Sequence, residues 1–222
     1  MKTLTTTEEL EEFCFYAEKF PYITIDTEFL REKTYYAKLC LVQLALPGKS
    51  KNDAVLVDPL IEGQFSFEPL FRLFKNKNIL KVFHAGRQDL EIFYNLGQCI
   101  PQPLFDTQVA AMVCGFGDQV SYEILAKKVL NVNVDKASRF SDWSRRPLTD
   151  AQKQYALGDV THLRGIFEFL TSEIKRNNRE SWIQEEMNIL ESINTYVTDP
   201  REAWRRVKFR NKSPEFLSVV RE

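Results

Sequence analysis

"YITIDTEFL", residues 22–30, runs from an apolar, β-branched stretch straight into two carboxylates, Asp26 and Glu28, separated by Thr27. Such a run predicts a strand. Side chains two apart on a strand share a face, so Tyr22, Thr24, Asp26 and Glu28 line one side and Ile23, Ile25, Thr27 and Phe29 the other. Two acids on one face repel. Either the strand has ended and both are solvated turn residues, or a cation lies between them. This stretch alone leaves both readings open.

Further strands are predicted at Lys38–Leu46, Ala54–Val57 and Ile79–Phe83, with a strand end at "FD", residues 105–106. Thr6 and Glu9 have capping-box spacing, and Leu10, Phe13, Ala17 and Phe20 follow at helical intervals. Other helices are predicted at Phe67–Phe74, from Gly86–Arg87 to a stop at Gly97, after Asp106, along "SYEILAKKVLNV", from Thr149 to about Lys175, and over Ser181–Val197, closed by Pro200. Strands early and helices late predict an α/β fold, a sheet flanked by helices. The main domain is placed at residues 1–198. Residues 199–222 read as a basic linker that ends in the Ser213-capped beginning of another helix.

Of the 222 residues, 44% are hydrophobic and 13% aromatic, ample for one core, and the net charge of −1 names no partner. The distribution says more: residues 201–222 hold seven basic and three acidic groups, either a solvated helix face or a polyanion contact. Cys14, Cys40, Cys99 and Cys114 form no CxxC pair, which predicts reduced thiols. No apolar run approaches membrane-spanning length, and "MKTLTTTEELEEF" lacks a signal-peptide core, so a cytoplasmic protein without a membrane is expected. His84 and His162 belong to no HExxH. "PGKS" fails as a P-loop because Gln43 occupies the required upstream glycine position.

Three more acids bear on the opening pair. Asp89 falls near the start of a predicted helix and Asp106 at a strand end. Tyr155 and Asp159 lie four apart on a helix, hence on one face, beside the core stripe of Ala156, Val160, Leu163 and Phe167. An unpaired acid there is costly, and a hard divalent cation would satisfy it.

"DTEF", "HAGRQDLEIF", "FDTQ" and "YALGD" occur in the order and spacing of the DEDD 3′→5′ exonucleases, and Tyr155 four before Asp159 resembles their tyrosine subtype. "IPQPLFDTQ", "SDWSRRPLT" and "DPREAWRRVK" are similar to the bacterial ribonuclease D family within it. The resemblance covers about residues 20–210. It implies an RNase H-like fold with a central mixed five-stranded sheet, and a helical C-terminal domain beginning near "SPEFLSVVRE". It also implies Asp26, Glu28, Asp89 and Asp159 as ligands of two divalent cations, Mg²⁺ or Mn²⁺, with Asp26 bridging them and Tyr155 orienting the attacking water.

The implied partner is RNA with a free 3′ end, transfer RNA precursors among others, cut to 5′-mononucleotides. DNA or very short oligonucleotides are the alternative substrates, and a catalytically silent RNA-binding module is the alternative of another class. The sequence does not reveal the oligomeric state, and a monomer is favoured. Substrate contacts are expected from Thr27, Phe29, Leu30, His84, Arg139, Trp143 and Arg146. Phe29 and Leu30 either wedge against the terminal base or pack in the core. His84 reads as a structural histidine at a strand end rather than a general base. Asp106 and Gln108 read as capping or supporting groups.

Overall fold

The computed structural model describes residues 2–48, 53–61, 65–135, 137–197, 201, 204, 208–210 and 213–221. In chain order these form β1 (Lys2–Leu4), α1 (Thr7–Ala17), β2 (Tyr22–Leu30), β3 (Lys38–Ala45), β4 (Ala54–Val57), α2 (Glu68–Lys75), β5 (Leu80–Phe83), α3 (Arg87–Gly97), β6 (Leu104–Asp106), α4 (Thr107–Val113), α5 (Tyr122–Leu130), α6 (Asp150–Arg176), α7 (Glu180–Glu191) and α8 (Pro214–Arg221).

The described strands make one mixed sheet of six, ordered β1-β4-β3-β2-β5-β6, one strand more than expected. The addition is β1, which pairs parallel to the edge of β4. Three residues are too few to show a period of two, so no pattern announced it. β3 runs antiparallel to both β2 and β4, while β2, β5 and β6 are mutually parallel. β3 is apolar at nearly every position because both its faces are covered. Val42 and Leu44 enter one buried cluster, and Leu41 and Ala45 enter another with Trp143, Ala156 and Val160.

α6 crosses the sheet against β2, β3, β4 and β5. Thr149 starts it with a complete capping box to Gln152. The Thr24 hydroxyl donates to the carbonyl of Val160 at 2.8 Å and the Tyr22 hydroxyl to Glu168 at 2.9 Å. The even-numbered face of β2 is thereby fixed against α6. Pairing of β2 with β5 ends at Thr24–Val82, whereas pairing with β3 continues to Leu30 with a bulge at Glu28–Phe29. Residues 25–30 therefore overshoot β5 and leave a notch at the carboxyl ends of the parallel strands, where α3 begins. Open α/β sheets place ligand sites at such ends.

One predicted helix end holds and one moves. α3 ends at Gly97 as expected, and the left-handed residue that follows is Gln98, with a φ of +50°. Gly97 is also small for a packing reason: a Cβ there would clash with the Phe71 ring. α7 ends at Glu191 and passes into a 3-10 turn at Ile193–Thr195, short of the predicted Val197. Pro200 and most of the basic strip from Arg205 to Lys212 lie outside the described residues. Among the described residues no helix is long and apolar enough to cross a membrane.

Candidate active site

An open cleft of about 640 Å³ occupies the notch. Asp26 and Glu28 enter it from β2, Asp89 from the first turn of α3, and Tyr155 and Asp159 from α6. Carboxylate oxygens of Asp26, Glu28 and Asp159 lie within 4.8 Å of one another. Asp89 is buried beside them, and the Thr27 hydroxyl, from the opposite face of β2, donates to it. Asp89 also sits where the α3 dipole favours an anion.

The electrostatics report crowding. Burial first, then Asp159, raise Asp26 far above the usual carboxylate range. Burial and the neighbouring Asp26, Asp159 and Asp89 push Glu28 up to about 10. Burial and Asp26 raise Asp89 as well. Asp159 rises to about 7, chiefly through burial, although the Tyr155 hydroxyl beside it pulls the other way. Among the described residues Arg139 eases Glu28, Asp159 and Tyr155, and it is already paired with Glu123 at 3.2 Å. Clustered, half-desolvated oxygens short of positive charge are the donor set a hard divalent cation takes, so the residues fit such an ion.

A frame of hydrogen bonds holds these elements in place. Asp106, at the end of β6, caps α4 by accepting from Gln108 N at 2.8 Å. The same carboxylate accepts from Ala85 N at 3.1 Å and Gly86 N at 2.8 Å, at the turn that launches α3 and hence Asp89. Ala85 has a left-handed φ of +54°, and these bonds offset its strain. Gln108 donates to the Val120 carbonyl at 3.1 Å. His84 shares a hydrogen with the Thr107 hydroxyl at 3.0 Å and stands edge-on to Tyr122, and burial lowers its pKa. A neutral ring fixed by neighbours suits the structural role read for it.

Phe29 and Leu30 line the cleft while packing against the two buried clusters. Trp143 also reaches the cleft but is almost wholly buried, its ring 6.0 Å from that of Tyr155. Arg146 is the departure. It is absent from the cleft lining, and all its N–H groups are used internally. Nε and Nη2 grip Asp58 at 2.6 Å, Nη2 also reaches the Cys40 carbonyl, and Nη1 reaches the Trp143 and Arg145 carbonyls. A guanidinium so occupied anchors the loop carrying Arg139 and Trp143 and has no donor left for a phosphate.

Sequence reasoning passed over Tyr122 and Phe140. The Tyr122 hydroxyl donates to the carbonyls of Gly158, at 3.1 Å, and Asp159, at 2.5 Å, pinning α6 at the turn that bears Asp159. Nothing in the spacing of Tyr122 signals a contact with residues so far along the chain. Phe140 lines the cleft outside any motif.

The profile of a 3′–5′ exonuclease family matches residues 1–175. Ribonuclease D of Jannaschia sp. is 57% identical over 220 residues, covering 99% of this chain and 57% of that protein. The crystal structure of Escherichia coli RNase D is similar with a TM-score of 0.85 at 34% identity, over 92% of this chain and 53% of that one. Brucella melitensis NrnC with bound Mg²⁺ has a TM-score of 0.71 at 22% identity, over 96% of this chain and all of that one, a likeness of fold. The chain thus spans a little over half the length of the ribonuclease D proteins it matches.

Proposed function

The chain belongs to the 3′–5′ exonuclease family, and on that premise we propose that it hydrolyses RNA stepwise from a free 3′-OH, releasing 5′-mononucleotides. The observation that carries the reading is the convergence of Asp26, Glu28 and Asp159 within 4.8 Å at the floor of an open cleft. The ribonuclease D relatives support RNA as substrate, and maturation or decay of transfer RNA and other stable RNAs in the cytoplasm is the setting we propose.

Asp26, Glu28 and Asp159, with Asp89 beside them, would hold two divalent cations, Mg²⁺ or Mn²⁺. Bound there, the ions supply charge neutralisation and Lewis acidity for in-line phosphodiester displacement. Tyr155 keeps its proton at neutral pH, because burial and the surrounding acids raise it above the phenol value of 10.0. Its hydroxyl orients water by hydrogen bonding and does not act as a free base. Arg139 lends positive charge to a cleft that would otherwise repel a phosphodiester. Phe29 and Leu30 border the place where a terminal nucleotide enters.

Time courses on 5′-labelled RNA and matched DNA, with chelation and cation add-back, test the proposal. A ladder shortening from the 3′ end only when Mg²⁺ or Mn²⁺ is restored is expected. Equal rates on DNA, or cleavage that survives chelation, would refute it.

A further inference from the structure

Phe140 is 92% exposed, although it lines the cleft that holds Asp26, Glu28 and Asp159. Leaving a phenyl ring in water is unfavourable, so its placement calls for a use. The ring is anchored on its own side. The Arg139 guanidinium lies 5.6 Å from its centroid, and Arg139 is tied in turn to Glu123, in the first turn of α5. The loop bearing both residues is fastened by the grip of Arg146 on Asp58. Depth separates this ring from the other aromatics of the cleft. Trp143 is 2% exposed and committed to Tyr155, whereas Phe140 stands at the rim with a bare face.

We propose that Phe140 is a stacking platform for the nucleobase immediately 5′ of the terminal nucleotide. This rests on the exonuclease reading above. The acids at the floor fix where the scissile phosphate must lie, so the terminal nucleotide fills the depth of the cleft and the next one crosses the rim. Stacking on a flat ring tolerates any base, as stepwise degradation requires. Arg139, beside the ring, offsets the phosphate between the two nucleotides, and the phenyl adds an attraction that does not weaken with salt as phosphate contacts do.

The test uses RNA pentamers, intact or abasic at the penultimate position, with the whole chain and Mg²⁺. Wild type should favour the intact pentamer by roughly 5- to 100-fold in kcat/KM, the span of base–aromatic stacking. Phe140→Ala should bring that ratio close to one, and Phe140→Trp should retain it. A ratio unchanged in Phe140→Ala overturns the proposal, as does an equal loss on both substrates, which would mark a merely structural residue. Wild type that shortens DNA and not RNA sinks the choice of substrate above while the same ratio, read on abasic DNA, still judges Phe140. Wild type that releases no nucleotide from either strand overturns both.

Discussion

At the residue scale the site is a conflict of charges written into two segments far apart in the chain. Asp159 raises the proton affinity of Asp26, and both raise that of Glu28, so removing one charge should relieve the fold while destroying the chemistry. Asp26→Asn and Asp159→Asn should each lower cation-dependent kcat by roughly a thousandfold or more, since several kcal/mol of transition-state stabilisation is lost. In calorimetry without cation, both variants should melt at or above the wild-type temperature. A lower melting temperature would show that the carboxylates are favourably paired. The same conflict sets a pH dependence. Asp159 rises from 3.8 to about 7 on folding, so between those values the folded chain binds the extra proton. Stability of the chelated protein should then fall as pH climbs from about 4 to 7, by up to ~1.4 kcal/mol per pH unit for each such group. Glu28, raised from 4.5 to about 10, carries the fall further. Melting curves across that range, with and without Mg²⁺, check the sign, and saturating cation should flatten the slope.

At the element scale, segments are placed by polar groups that no periodicity reveals. Asp106 joins three elements: it ends β6, caps α4 and holds the amides that begin α3. Asp106→Ala leaves those amides without a partner and should cost about 2–4 kcal/mol in urea unfolding. Its activity should suffer more than its stability at moderate temperature, because Asp89 loses its footing. Asp58 and Arg146 do the same for the loop before α6. Their Nε–Oδ2 contact of 2.6 Å is largely buried, and removing one partner strands the other. Asp58→Ala or Arg146→Ala should each cost about 3 kcal/mol. The paired replacement Asp58→Leu with Arg146→Met should be milder, and a double-mutant cycle by chemical denaturation measures the difference. The helices themselves were legible because their signals are local. The capping box at Thr6 and the helix start at Thr149 were predicted from the sequence and are present, the latter also as a complete box with Gln152. The end of α3 at Gly97 was read correctly, but Gly97 is also small to admit Phe71, a contact between segments that a local pattern cannot carry.

For the molecule as a whole, the site is also a joint. Asp26 and Glu28 belong to the sheet and Asp159 to α6, so a cation bound among them would clamp helix to strand. Mg²⁺ at a hundred times its dissociation constant should stabilise the fold by about 2.7 kcal/mol. Hydrogen exchange should slow with it in β2 and around residues 155–160, and not in α7. Uniform slowing, or none, would place the binding elsewhere. The run from Tyr22 to Leu30 by itself determined a strand, its two faces and a pair of acids in need of a counter-charge. With Asp89, Tyr155 and Asp159 at family spacing it also pointed to the proposed chemistry, because residue identity and order along the chain are local facts. The tertiary structure alone decided which charges meet, since β2 must outrun β5 and α6 must cross the sheet for Asp159 to reach Asp26. It alone turned Arg146 from a phosphate contact into an anchor and left Phe140 bare at the rim. Whether an arginine or a ring faces substrate or its own fold depends on which distant groups come within hydrogen-bonding distance, and that distance does not exist until the chain has folded.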